Sequence, residues 1–254
     1  MISRHQDMLS ACTSGDVAAL ERLFEANNIR RFSKPVYISS PGEAPPTNEL
    51  LAAAITNGHL DIVLLVLNTY EGINFYDEVI TALVNHPDIP ILEALYNYDN
   101  LIVQFEWDDH QSTFVTEACK QPPEKIGPLL HFLIEHDAAL DVGGFRFHFA
   151  VWAALCGNQP LDVIEAMIKK GGPVTSAAMQ QAVVCERTDV IDAFMRFNIE
   201  GEHDNIQQLQ TEAEETGNTD VVKLVHAWTS NWGAEANQNL TMVQKLKRVL
   251  RRKD

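Results

Sequence analysis

The chain has 254 residues, 46% of them hydrophobic, and a net charge of −16. That apolar share belongs to a folded protein rather than a disordered one. The acidic balance excludes nucleic acid as the expected partner, because phosphate binding needs a positive footprint.

The opening, MISRHQDMLSACTSGD, has no apolar core of the kind a secretory signal carries. The longest strongly apolar run, Ile62 to Leu67, falls far short of the roughly 20 residues that a membrane span needs. No transmembrane segment is therefore expected, and the expected location is cytoplasmic or nuclear. The four cysteines, Cys12, Cys119, Cys156 and Cys185, lack the paired spacing of a disulfide or zinc framework. They read as small core residues in a reducing compartment, and neither a metal nor a cofactor is expected.

A helical pair is predicted over about Gln6 to Asn27, with polar Asp16 where later units carry His or Asn. Residues 28–47 follow, NIRRFSKPVYISSPGEAPPT, whose four prolines exclude helix. This long loop is either an extended finger between units or part of a binding surface; Arg30, Arg31 and Lys34 make it locally positive. The stretch from Asn48 to Asn74 is the clearest unit. Ala52, Ala53 and Ala54 permit close helix approach, Gly58 is placed for a left-handed stop, and Asp61 opens a second helix. Ile62, Val63, Val66 and Leu67 give that second helix a broad apolar stripe.

A degenerate unit follows over about Tyr76 to Asp99, with Pro87 and Pro90 in place of the usual turn. Next comes LIVQFEWDDHQS, where Trp107, Asp108, Asp109 and His110 form either a recognition tip or a loop packed on itself. The fourth unit carries QPPEK, Gln121 to Lys125, as a lengthened turn between helices. In Phe145 to Trp152, alternation puts Phe145, Phe147 and Phe149 on one side and Arg146 and His148 on the other. That cluster either fills a gap between units or contacts a ligand through Arg146 and His148. The fifth and sixth units bring the Val163 and Val190 stripes, and a seventh ends near Trp228 and Trp232, placed to close the last apolar face.

The stripe therefore recurs. Its first members are Ala19, Ile62, Ile91, Leu129, Val163, Val190 and Val221, spaced 43, 29, 38, 34, 27 and 31 residues apart. Ala11, Ala54, Ala182 and Ala213 each stand eight residues before a stripe, and Asp61, Asp162, Asp189 and Asp220 immediately before one. A period near 33 with one helical pair per unit marks an array rather than one globular core. In AxxxG at Ala11–Gly15, AITNGHLDIV at Ala54–Val63, EETGNTDVVKLV at Glu214–Val225 and IEHDAALDV at Ile134–Val142, the chain resembles the ankyrin-repeat family. The resemblance covers about Gln6 to Val225 and departs from the family in lacking its Thr-Pro-Leu-His opening. It implies an all-α solenoid of about seven helix-turn-helix repeats over 1–236, and a structural hydrogen-bonding role for His59.

Residues 237–254 form a tail that reads as a basic amphipathic helix, with Val243, Leu246 and Leu250 as its apolar seam. It holds six of the 19 basic residues and a single acid, so the remaining body sets 13 cations against 34 acids. Lys245, Lys247, Arg248, Arg251 and Arg252 are candidate contacts. They serve either to dock the tail back on the acidic body, to bind an acidic or coiled-coil partner, to reach a nuclear-import receptor or membrane surface, or only to solubilise a frayed end.

No phosphate loop, nucleophile elbow or HExxH occurs. The resemblance implies a non-catalytic adaptor that binds a protein with a basic surface through inner helices and inter-repeat loops. Its candidate contacts are Trp107, Asp108, Asp109, His110, Phe145, Arg146 and His148. The alternative is an enzyme or small-molecule binder with a pocket near Phe145–Trp152.

Overall fold

A computed structural model describes residues 4–40, 43–107, 112–142, 149–200, 205–230 and 232. Helices come in pairs wherever an apolar stripe predicted one. They are α1 (Arg4–Ser14) and α2 (Val17–Ala26), α3 (Thr47–Thr56) and α4 (Leu60–Thr69), α5 (Asp77–Asn85) and α6 (Ile89–Tyr98), and α7 (Phe114–Cys119) and α8 (Pro123–Glu135). Then follow α9 (Ala150–Cys156) and α10 (Leu161–Lys169), α11 (Ser176–Val184) and α12 (Thr188–Arg196), and α13 (Ile206–Thr216) with α14 (residues 219–230). The tail at 237–254, with its five candidate cations, lies outside the described residues.

The contacts divide the chain into two units, Met1–Gly144 and Phe145–Asp254. In the first, α1, α3, α5 and α7 stack as one layer and α2, α4, α6 and α8 as another. In the second, α9, α11 and α13 stack in one layer; α10 packs on α12, and Phe194 of α12 meets Trp228 of α14 with ring centroids 5.6 Å apart. Each unit is therefore a two-layer stack of helical pairs, four in the first and three in the second among the described residues.

The stripes explain the second layer. Ile62, Val63, Val66, Ile91, Leu92, Leu95, Leu129, Leu130 and Leu133 are buried, as are Val163, Ile164, Met167, Val190, Ile191 and Phe194. Each such side chain contributes about 1.5–3 kcal/mol by leaving water. The registered alanines, Ala11, Ala54, Ala182 and Ala213, are buried in the first layer. Their small side chains let the neighbouring helix approach.

Their carbonyls have a second task. The N–H groups of Asp16, His59 and Arg187 donate to the carbonyls of Ala11, Ala54 and Ala182 at 3.0, 3.0 and 2.9 Å. This closes the first helix over a left-handed residue: Gly15 and Gly58 at φ 71° and 70°, and Glu186 at 52°. The fifth pair makes the same bond, Gln159 N–H to the Ala154 carbonyl at 2.8 Å. One extra residue in its turn moves Ala154 out of the eight-residue register.

In three of the pairs, the residue three places before the stripe ties the pair to the one before. His59 Nε2–H donates to the Thr13 carbonyl at 3.0 Å, which gives it the structural role expected of it. Arg187 holds the same register and donates to the Gln159 carbonyl at 3.0 Å and to Asn158 Oδ1 at 3.3 Å. Asn218 repeats the device on Glu186 at 2.7 Å. Three chemistries thus perform one bridging task. The registered acids Asp61, Asp162 and Asp189 stand in the first turns of their helices, where the dipole favours negative charge.

Two expectations are corrected. QPPEK is not a lengthened turn: Pro123 begins α8, whose first turn needs no N–H from it, and the helix runs 13 residues. Nor are all four cysteines core residues. Cys12 and Cys119 are buried, but Cys156 and Cys185 are exposed, at the last helical and capping positions of α9 and α11. Trp228 and Trp232 do close an apolar face, buried edge to face at 4.9 Å, with Trp228 Nε1–H donating to the Ile199 carbonyl at 2.8 Å.

Candidate partner-binding surfaces

The loop at 28–47 is not an extended finger standing free. Its Ser33 pairs with the end of α4 as a single parallel bridge, N–H to the Thr69 carbonyl at 3.1 Å and carbonyl to the Glu71 N–H at 3.0 Å. The Tyr37 hydroxyl donates to the Gly72 carbonyl at 3.1 Å and accepts from the Asn74 N–H at 3.0 Å. Its ring meets Tyr76 at 5.4 Å. Val36 and Thr47 close the base, with bonds of 3.0 and 2.7 Å. The prolines remove helical alternatives, and side chains supply the anchors.

Beside the anchored loop lies a cleft of about 500 Å³, lined among others by Arg31, Phe32, Glu71, Asn74, Tyr98 and Asp99. Tyr98 stiffens its wall, donating to the Tyr70 carbonyl and accepting from the Ile73 N–H, both at 3.0 Å. The Tyr70 side chain is buried, and its hydroxyl has no hydrogen-bond partner among the described residues. Burial, with a smaller contribution from Cys12, pushes that phenol up to about 12; burial alone pushes the Cys12 thiol up to about 12.

At the rim, Phe32 is 64% exposed, and its backbone sits at φ 66°. A bulky residue there strains against its own Cβ by about 1–2 kcal/mol. The Arg31 guanidinium lies 4.9 Å from the Phe32 ring centroid. The pair presents an aromatic ring and a cation side by side. Ile38 on the same loop is 90% exposed.

The second surface is the LIVQFEWDDHQS segment. Asn100–Gln104 forms a 3-10 turn, and strand β1 (Glu106–Trp107) pairs antiparallel with β2 (Ser112–Thr113). Trp107 opposes Ser112, is half-buried, and leans on Phe105 at 5.6 Å. Thr113 then caps α7 reciprocally with Thr116. Trp107 thus packs on its own loop and still shows part of its surface.

Asp108, Asp109, His110, Phe145, Arg146 and His148 lie outside the described residues. Of the candidate contacts, Trp107 alone receives a position. Residues 28–47 carry a sequence signal in Arg30, Arg31 and Lys34. Phe32 carries none, because a left-handed aromatic has no sequence signature. Among the described residues, no group of three or more His, Cys, Asp or Glu could hold a metal ion, and no helix is long and apolar enough to cross a membrane.

No protein-family model matches the sequence, and no curated protein matches it. Among solved structures, the chain is similar to an ankyrin repeat protein from Leishmania major, at 13% identity and a TM-score of 0.49. The likeness covers 78% of this chain and 71% of that one.

Proposed function

We propose that the chain is a non-catalytic adaptor that binds a protein partner with a basic surface, working in the cytoplasm or nucleus. Ankyrin-like arrays are in general protein–protein interaction modules, offering a long face built from many units. The observation that carries the reading is Phe32. An exposed aromatic held in a strained backbone, with Arg31 on its ring and a cleft at its side, matches the composition of an interaction anchor. The excess of acids over cations supports the choice of a basic partner, by steering its approach. Four free cysteines support a reducing compartment.

The test compares affinity capture from native extract by the intact chain, by R31A/F32A and by W107A. The reading expects one protein held by the intact chain, released by at least one variant and rebound in purified form. Equal capture by all three baits would refute the placement, and the absence of any rebinding protein would refute the adaptor itself.

A further inference from the structure

The alanine register sets residues of α9, α11 and α13 level with one another, because Ala154, Ala182 and Ala213 hold equivalent places in three stacked helices. Two places after those alanines stand Cys156, Val184 and Glu215. All three are exposed, Val184 by 59%, and Cys185 beside it is exposed too. On α13, Gln210 faces α14, since its amide donates to the Thr229 hydroxyl at 2.8 Å. At 3.6 residues per turn, Glu212 and Glu215 lie about 200° and 140° around the helix from Gln210. They therefore sit on the side of the layer away from α14. Glu212 Oε1 accepts from Gln208 at 2.9 Å, and Oε2 has no hydrogen-bond partner. The exposed face thus runs from carboxylates on α13 to an apolar and thiol centre on α11 and α9.

Charge concentrates at the same end of the second unit. Residues 149–197 hold five acids and four Lys or Arg, whereas residues 198–236 hold eight acids and one lysine, Lys223. Residues 237–254 reverse the sign, with six cations and one acid, and carry the Val243, Leu246 and Leu250 seam. Lengths agree as well. A helix over 241–254 is about 21 Å long, and packed helices stand about 8–10 Å apart, so it can cross three of them. Its seam covers about 10 Å, one such spacing, which is the step from the Val184 position to the Cys156 position. Residues 233–240 can extend about 26 Å, against a helix diameter of about 10–12 Å to be passed.

We propose that residues 241–254 dock on their own chain as a helix across the exposed face of α9, α11 and α13, with the seam on Val184 and its neighbouring thiols and with Lys245 and Lys247 toward Glu212 and Glu215. Charge complementarity and the apolar seam together select this occupant. Its tether adds to both, since a short flexible linker gives an effective concentration of about 1 mM. The contact goes beyond the adaptor reading and uses a different unit from Phe32. A basic segment of a partner would have to displace the tail to reach this face.

The test is zero-length carbodiimide coupling of the intact chain, with the monomer isolated by size exclusion and its cross-links mapped by mass spectrometry. We expect Lys245 or Lys247 joined to Glu212 or Glu215. Two variants leave every coupled group in place: R248E/R251E/R252E reverses the remaining tail arginines, and V184N removes the apolar contact. Val184 is exposed and the arginines follow the last stripe, so neither change touches the buried stripes. Each should lower the initial coupling rate about threefold or more. R22E/R30E/K34E, an equal charge change in the first unit, should leave it within about twofold. Absence of these cross-links in the monomer overturns the proposal, and so does their appearance in a dimer fraction alone, which would make a second copy the occupant. Coupling that is as strong to Asp61 or Asp77 of the first unit, or that survives both variants undiminished, overturns it as a diffuse attraction. The measurement needs no partner, so its failure leaves the Phe32 capture result standing, and the reverse also holds.

Discussion

Two glycines in equivalent turns allow the tie between the first two helical pairs to be weighed. Gly15 and Gly58 both sit left-handed, at φ 71° and 70°. A Cβ at Gly58 meets nothing within 4 Å, whereas one at Gly15 would stand 2.7 Å from His59 Nδ1 and 2.8 Å from its Cε1. Gly58→Ala therefore carries only left-handed strain, about 1–2 kcal/mol. Gly15→Ala carries the same strain and also pushes the imidazole off the Thr13 carbonyl, which adds about 0.5–1.5 kcal/mol. The total is about 1.5–3.5 kcal/mol. Urea unfolding followed by circular dichroism measures both. Hydrogen exchange of α1–α4 amides should accompany it, since stacked pairs need not unfold in one step. In a His59→Ala background the added cost of Gly15→Ala should fall to that of Gly58→Ala. Equal costs for the two glycines in the native background, or an undiminished cost once the imidazole is removed, would refute the argument.

Phe32→Asn suits the left-handed backbone and should stabilise the chain by about 0.5–1 kcal/mol in denaturant while lowering partner capture; a clear destabilisation would remove the strain argument. Cys156, whose thiol is pushed up to about 11 by partial burial at the helix end and then by Cys185, should react with a water-soluble alkylating agent about tenfold faster per pH unit between about 7 and 10. Buried Cys12 should stay unlabelled in the native state, and mass spectrometry reads both. Arg187→Ala should cost about 1–2 kcal/mol through lost bonds to the preceding pair. The Arg187 hydrogen bonds also hold the Asp189 carboxyl below its ordinary value. A depressed carboxylate stabilises above its unfolded pKa and loses that effect as pH falls through the folded one, so the acid limb of the stability profile should flatten in Arg187→Ala. Asp189 is partly exposed, so this limb is shallow.

What the sequence reveals is whatever depends on short spacing. The stripes, the alanine register, the Gly58 turn and the closing tryptophans follow from helical period and from the need to cover apolar faces, and the structure bears them out. His59 is legible because a known family pattern accompanies it. Arg187 and Asn218 are not, although they do the same task, because the task is defined by a bridge to the previous turn rather than by residue type. Tyr37 and Tyr98 escape notice for a similar reason: their hydroxyls reach backbone groups 25 to 37 residues away. QPPEK misleads because proline reads as a breaker, when at the start of a helix it is tolerated.

The candidate binding surfaces of the first unit occur where the repeat departs from its period. The longest gap between stripes, 43 residues, holds the anchored loop with Phe32; the next, 38 residues, holds the 3-10 turn and the Trp107 hairpin. The following unit begins α8 with proline and extends it to 13 residues, and its far end brings Phe132 and His136 against Tyr96. Regular pairs use their side chains on one another: alanine against helix, stripe against stripe, His59 or Arg187 against the preceding turn. Inserted segments have no equivalent neighbour to satisfy them. Their aromatic groups either anchor the insertion, as Tyr37 does, or remain presented, as Phe32 does. Strain supports that division. Phe32 stays in a costly conformation while exposed: the turn closed by the Ser33 N–H on the Arg30 carbonyl at 2.9 Å sets its backbone, and burial of its own ring does not.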